Sequence, residues 1–375
     1  MNATASDPVL VVVQLTGGND FMNTVIPYTN PLYHDARPGL RFAEDEVLPI
    51  NDTLAFNPHA APLKDVYDAG KMAIVQGVGY PDSSRSHFRS SYIWHTCEPE
   101  TIATEGWLGQ AIGQMDPDKE NSLTGVNFGR GLPQSFVSKG VPVTSVGDLD
   151  NYGLLTGMAD RREASLERFK RMYAPAIGTG PVMDYLSETG QGVLSGADDL
   201  KKAPAMYESN VEYGSDLLGQ GLRDAARVHL ADLGTRVLYV SHGDYDTHSR
   251  QELTHEKDMV ELSRAIVDFF QDLEDHNAAD NVLMLVWTEF GRRLADNGSG
   301  TDHGSGGGAF LIGNMVNGGL YAEYPSLEQS NLANGEDLAH TYDFRGLYSS
   351  ILKQHLDLEP TSIVGGDFEQ LQVLN

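Results

Sequence analysis

The chain is short of several things, and each shortage excludes something. It has a single cysteine, Cys97, in 375 residues. No intrachain disulfide can form, and cysteine-rich zinc sites are excluded. Any bound metal must use Asp, Glu, His, Ser or Asn. Basic residues are scarce: 26 Lys and Arg stand against 53 Asp and Glu, a formal net charge of −27. Nucleic-acid backbones and anionic membrane surfaces would be repelled by such a chain. No apolar run approaches the ~20 residues of a membrane span. Residues 1–8 carry no basic or apolar targeting segment, which reads as a cytoplasmic protein or as a mature form without its leader. Nucleotide and esterase signatures are missing too. No GxGxxG is followed by a suitably spaced acid, and no GxSxG elbow marks an α/β-hydrolase. The glycine run Gly304-Ser-Gly-Gly-Gly308 lacks the Lys and Ser/Thr of a phosphate-cradling P-loop.

What is present reads as an α/β protein. Hydrophobic content of 40% and charged content of 21% are ordinary for a globular chain. Short apolar runs at Val9–Leu15, Lys71–Val78, Arg236–Ser241, Asn281–Trp287 and Ala309–Ile312 read as buried strands, the habit of a largely parallel sheet. Helical spacing predicts a helix that starts at Ser84 or Ser86, an amphipathic helix leading into the strand at 236, and one near Asp343–Leu356. The clearest lies between 252 and 278, where Met259, Leu262, Ile266, Phe269 and Leu273 form one stripe. Residues 27–64, rich in Pro, Asn and Asp, read as a surface excursion. Residues 98–150 read as irregular with short strands, and about 155–215 as a helical cap insertion. No linker divides the chain, so a single domain over 1–375 is expected.

The chemistry gathers where strands end, which is where open α/β sheets bind ligands. The first strand runs into Thr16-Gly-Gly-Asn-Asp20, where Asp20 can bind a hard cation or close an Asx turn. The second is followed by Ser83-Ser-Arg-Ser-His-Phe88. A serine at a helix N-terminus suits a nucleophile, although it also caps helices generally. Arg85 could grip an anionic oxygen. The third strand end leads to Asp244-Tyr-Asp246-Thr-His248, two carboxylates and an imidazole in five residues. The fourth gives Thr288-Glu289, and Thr301-Asp302-His303-Gly304 follows on a loop. Together these point to one metal site assembled from distant parts of the chain.

At these residues the chain resembles the DUF1501 family of bacterial proteins. The matching stretches are Leu15–Asp20, Ser84–Phe88, Asp246-Thr-His248, Thr288–Arg292, Gly300–Gly304 and Asp343-Phe-Arg345. The family looks like a distant branch of the alkaline phosphatase and sulfatase superfamily. The resemblance implies an alkaline phosphatase-like three-layer α/β/α sandwich with helical insertions and a metal site at the strand ends. It also implies twin-arginine export, hence a periplasmic or secreted protein. In the superfamily's order Asp20 matches the first Asp, Ser84 or Ser86 the nucleophile, Asp246 and His248 the third element, and His303 the last histidine. Asp244 would give the usual four-residue separation from His248. Glu289 stands where Asp-His is expected, with Phe290 in place of that histidine. The lost imidazole makes a single metal plausible, with Ca²⁺, Mg²⁺ or Mn²⁺ beside Zn²⁺. A Cys or Ser two residues before Pro-Ser-Arg is absent, which argues against a formylglycine mechanism.

The expected activity is therefore metal-dependent hydrolysis of a small phosphate or sulfate ester, or of a sulfated or phosphorylated saccharide. Asp20, Asp246, His248, Glu289 and His303 would hold one or two divalent cations. Ser84 or Ser86 would attack, and Arg85 and His87 would steady substrate oxygens or the leaving group. The alternative is a secreted binding or assembly protein whose metal site is degenerate or structural. Phe290 and the acidic surface favour that alternative.

Overall fold

β-Branched residues fill the first strand, β1 (Val9–Leu15), and every one of its seven residues is buried. A computed structural model describes residues 7–150 and 199–375 of the chain, with isolated positions between those spans. Most of the helical insertion expected at 155–215 lies outside the described residues. β1 is joined in one nine-stranded sheet by β2 (Met72–Gly79), β3 (Gly125–Phe128), β4 (Thr144–Val146), β5 (Val237–His242), β6 (Val282–Thr288), β7 (Gly307–Ile312), β8 (Gly319–Tyr321) and β9 (Tyr342–Asp343). The order is β8-β2-β7-β6-β1-β5-β3-β4, with β9 also pairing β2. β1 lies parallel to both β5 and β6, while β7 runs against its neighbours β6 and β2. The sheet is mostly parallel, as the apolar runs predict.

Pleating sends alternate side chains to opposite faces. Val9, Val11, Val13 and Leu15 join one core; Leu10 and Val12 join the other. The first core is closed by α1 (Ala61–Asp68), α4 (Leu217–Leu230) and α5 (Gln251–Asp275), through residues such as Leu63, Leu222 and Phe269. The second is closed by α2 (His87–Thr96), α3 (Trp107–Met115) and α6 (Phe344–Gln354), through Trp94, Trp107 and Tyr348. The result is an α/β/α sandwich. The stripe read from α5 is the one that faces the sheet: Met259, Leu262, Ile266, Phe269 and Leu273 are all fully buried. α4 and α6 start on carboxylate caps. Asp216 accepts from the Gly219 N–H and Asp343 from the Arg345 N–H. Cys97 ends α2 in the left-handed conformation, where burial pushes its thiol up and keeps it unreactive.

Two stretches differ from the sequence reading. Residues 27–64 are not all surface. Tyr33, Val47 and Ala55 pack with Met22, Ile26, Leu294 and Leu338 in a third apolar cluster. The Pro and Asn residues there make turns around those side chains and disguise them. Residues 98–150 contain the helix α3, whose paired glycines lower its helix propensity. Burial of Trp107, Leu108, Ala111 and Ile112 holds it.

His95, His255 and His355 lie in the interior, where burial pushes each down to about 4. Their unfolded value is near 6.5. The unfolded chain therefore takes up protons first as pH falls. Stability present above pH 6.5 is lost between there and about 4, on the order of 3 kcal/mol per ring. The melting temperature should fall across that window. In His355→Gln, which keeps a donor for the Val9 carbonyl that His355 Nε2 reaches at 2.9 Å, the fall should be shallower. An unchanged slope would remove His355 from the account.

Candidate metal centre

The strand ends are held together by backbone contacts before any ligand is considered. Gly17 follows β1 at φ +117°, and a Cβ there would come within 2.4 Å of the Asp246 nitrogen, so glycine lets β1's end touch the loop after β5. The Gly17 N–H donates to Glu289 Oε1 at 2.9 Å, and the Asn19 N–H to Thr288 Oγ1 at 2.9 Å. Arg292 is 1% exposed. Its guanidinium donates to the carbonyls of Gly17, Gly18, Tyr245 and Thr301 and to Asp246 Oδ1. The Arg292 side chain is thus committed to its own loops.

Around this frame three imidazoles and a carboxylate converge. His87 opens α2, Asp246 and His248 lie on the loop after β5, and His303 ends the short strand Thr301–His303. His303 Nε2 is 2.8 Å from His248 Nε2 and 3.0 Å from Asp246 Oδ1. His248 Nε2 is 3.1 Å from the same oxygen. His87 Nε2 lies 3.4 Å from Asp246 Oδ2 and makes no hydrogen bond. Each ring's other nitrogen meets an oxygen. His87 Nδ1 is 2.8 Å from Glu289 Oε1, His248 Nδ1 3.0 Å from Asp302 Oδ1, and His303 Nδ1 2.8 Å from the Arg85 carbonyl. Carbonyl and carboxylate oxygens accept, so each Nδ1 donates, and each Nε2 is the nitrogen turned into the cluster. Hydrogen bonding to Glu289 raises the His87 pKa. Burial would raise Asp246, but Arg292 and His303 outweigh it and hold the carboxyl at about 2. The Asp246 side chain is half exposed, so the cluster opens to solvent.

The other expected site residues fall around this cluster. Glu289 is buried and lies behind His87, accepting from His87, Gly17 and Thr288. Asp20 is buried beside Arg37 and Gln251, each 2.5 Å from its Oδ2. Burial alone would raise its pKa; the Arg37 guanidinium overrides that and holds it below the ordinary value. Asp244 is turned outward at φ 76° and reaches Lys257. Arg85 makes a two-point ion pair with buried Asp337, at 2.9 and 2.7 Å. Ser84 Oγ accepts from the Ser86 N–H at 3.2 Å, and Ser86 is the exposed N-cap residue of α2, its side chain making no capping bond. Sequence reasoning gave His87 a substrate-facing role and Asp302 none. The available signal for His87 was its position in the first turn of a helix beyond a strand end.

The family DUF1501, described as a protein of unknown function, matches residues 66–356. The chain belongs to the DUF1501 family. The matched span includes His87, Asp246, His248, Glu289 and His303, while the Thr16–Asp20 turn precedes it. Solved structures similar to this DUF1501 chain include the sulfatase PsFucS1 from Pseudoalteromonas sp. (9% identity, TM-score 0.43, covering 98% of this chain and 71% of that one). Another is a protein in the alkaline phosphatase superfamily from Vibrio parahaemolyticus (9%, 0.40, 96% and 72%). A third is the C-terminal periplasmic domain of EptC from Escherichia coli in complex with Zn (8%, 0.36, 84% and 74%). No curated protein matches the chain significantly.

The Asp20–Arg37 pair is fully buried, so Arg37→Met leaves a carboxylate without its counter-ion. The expected cost is about 3–5 kcal/mol in urea unfolding at neutral pH. A loss below about 1 kcal/mol would show that Asp20 is compensated elsewhere.

Proposed function

We propose that this DUF1501 protein is a divalent-metal-dependent hydrolase of phosphate or sulfate esters, with His87, Asp246, His248 and His303 holding the metal. One observation carries the proposal. All three imidazoles spend an Nδ1 proton on an oxygen, which turns their Nε2 atoms inward: ligand atoms of His87, Asp246 and His303 lie within 4.8 Å of one another, His248 Nε2 is 2.8 Å from His303 Nε2, and the deprotonated Nε2 atoms offer lone pairs to a cation. Two such lone pairs 2.8 Å apart repel unless a cation or a shared proton lies between them. Orientation of ligand imidazoles by outer carboxylates and carbonyls is the habit of metal sites. Three imidazoles with one carboxylate suit Zn²⁺ or Mn²⁺ better than Ca²⁺ or Mg²⁺. His87 supplies the imidazole that Phe290 lacks, and its ring packs on Phe290 at 4.9 Å. In this account Glu289 orients His87 and Asp20 anchors the loop after β1, so neither is a ligand.

A bound metal would offset the charge of an anionic ester and lower the pKa of a nearby hydroxyl. Ser86 is the better-placed nucleophile, because Ser84 Oγ is held in the local turn. Ser86 Oγ gives up its proton to solvent and bonds to phosphorus or sulfur as the bond to the ester oxygen breaks; that oxygen leaves as the alcohol with a proton from water, and a second water then cleaves the serine ester to release phosphate or sulfate and restore the hydroxyl. Free N–H groups in the first turn of α2 favour the anion held there. Arg85, tied to Asp337, fixes the Ser84–Ser86 turn and does not reach for substrate. The implied export of the family supports action in the periplasm or outside the cell, on a small ester or a sulfated or phosphorylated saccharide.

Metal-loaded protein should turn over members of an aryl phosphate and aryl sulfate panel. Ser86→Ala should lose on the order of 10³-fold or more in kcat while keeping its metal, and Ser84→Ala should remain active. No turnover of any ester, with a chelator lowering only the melting temperature, would transfer support to the binding-protein alternative. Glu289→Gln, which weakens the hold on His87, should reduce metal affinity about 10–100-fold by equilibrium dialysis. Unchanged affinity would remove Glu289 from its orienting role.

A further inference from the structure

A second group of ligating side chains lies behind the loop that carries Asp246. β5 ends at His242, and α5 places Asp258 and Glu261 three residues apart on one face. His242 Nε2 is 3.2 Å from Glu261 Oε2, and its Nδ1 is 2.9 Å from the Tyr245 hydroxyl. One ligand atom from each of His242, Asp258 and Glu261 falls within 4.8 Å of the others. Asp258 is fully buried, yet neither of its oxygens has a hydrogen-bond partner. A buried carboxylate left so is costly, and burial pushes Asp258 up to about 7. The nearest cation, Lys257 Nζ, is 3.7 Å from Asp258 Oδ1, beyond hydrogen-bond reach. Lys257 is about half exposed and also touches Asp244 and Glu261. Its ammonium stands on the solvent side, where an incoming ion can displace it.

We propose that His242, Asp258 and Glu261 form a second divalent-cation site, separate from the cluster of His87, Asp246, His248 and His303. One imidazole with two carboxylates favours Zn²⁺ or Mn²⁺ over Ca²⁺ or Mg²⁺. Its role follows from Tyr245. The Tyr245 hydroxyl holds His242 while its carbonyl accepts from Arg292. A cation here braces the loop that positions Asp246 and His248. The proposal does not rest on the hydrolase assignment.

The test is equilibrium dialysis of metal-free protein against Zn²⁺ in excess Mg²⁺, with elemental analysis. Thermal unfolding checks that each variant folds. Wild type should bind two equivalents, and Asp258→Asn one. The double variant His87→Ala/His303→Ala should bind one, and adding Asp258→Asn should leave none. Glu261→Gln replaces Asp258→Asn if the latter does not fold. Equal stoichiometry in wild type and Asp258→Asn overturns the second site and makes Asp258 a neutral buried acid. If the double variant keeps every equivalent and Asp258→Asn loses one, the second site stands and the first metal centre falls.

Discussion

The Arg292 guanidinium is the contact on which the rest of the rim depends. A buried cation is tolerated when its donors are all matched. Here each guanidinium nitrogen finds an acceptor among four backbone carbonyls and one carboxylate, drawn from the turn after β1, the loop after β5 and the strand Thr301–His303. Those segments are far apart in sequence, and removing the hub would leave several carbonyls without donors at once. Arginine suits the place because its planar fork addresses several acceptors in fixed directions while staying charged. Asp246 is held by the same hub, so the carboxylate at the centre of the cluster is positioned by the fold and not by a ligand.

A second constraint is directional. Glu289, Asp302 and the Arg85 carbonyl each take an Nδ1 proton and thereby aim an imidazole. The acceptors come from three different elements, and each is fixed in turn. Glu289 also receives the Gly17 N–H, and Arg85 is clamped by Asp337. This arrangement concentrates lone pairs and negative charge at one open point of a chain that already carries −27. An anionic ester would be repelled from that point without a cation, which is the physical link between the cluster's orientation and the chemistry proposed for it.

Much of the sheet was legible because parallel strands buried on both faces leave uninterrupted runs such as Val9–Leu15 and Val282–Thr288. The α5 stripe was legible because one face of a long helix meets the core. The helix Trp107–Met115 was not, since two glycines mask its periodicity and its stability comes from Trp107 and Ile112 packing on the sheet. Within the site, Asp246, His248 and His303 could be named from their places beyond strand ends. The division of labour among carboxylates could not. Asp20 and Glu289 look alike in sequence, each an acid just past a strand, and packing sets one beside Arg37 and the other behind His87.

The sequence by itself determined an α/β layering, a rim rich in imidazole and carboxylate, and the exclusion of an intrachain disulfide or a cysteine-rich metal site, because burial patterns and residue inventories are local properties. Tertiary structure alone decided which nitrogen of each histidine faces inward, which acids orient and which are free, and that Ser84 is held in its turn while the Ser86 side chain leaves its helix uncapped. Those outcomes depend on distances between segments hundreds of residues apart, and no spacing along the chain encodes such distances.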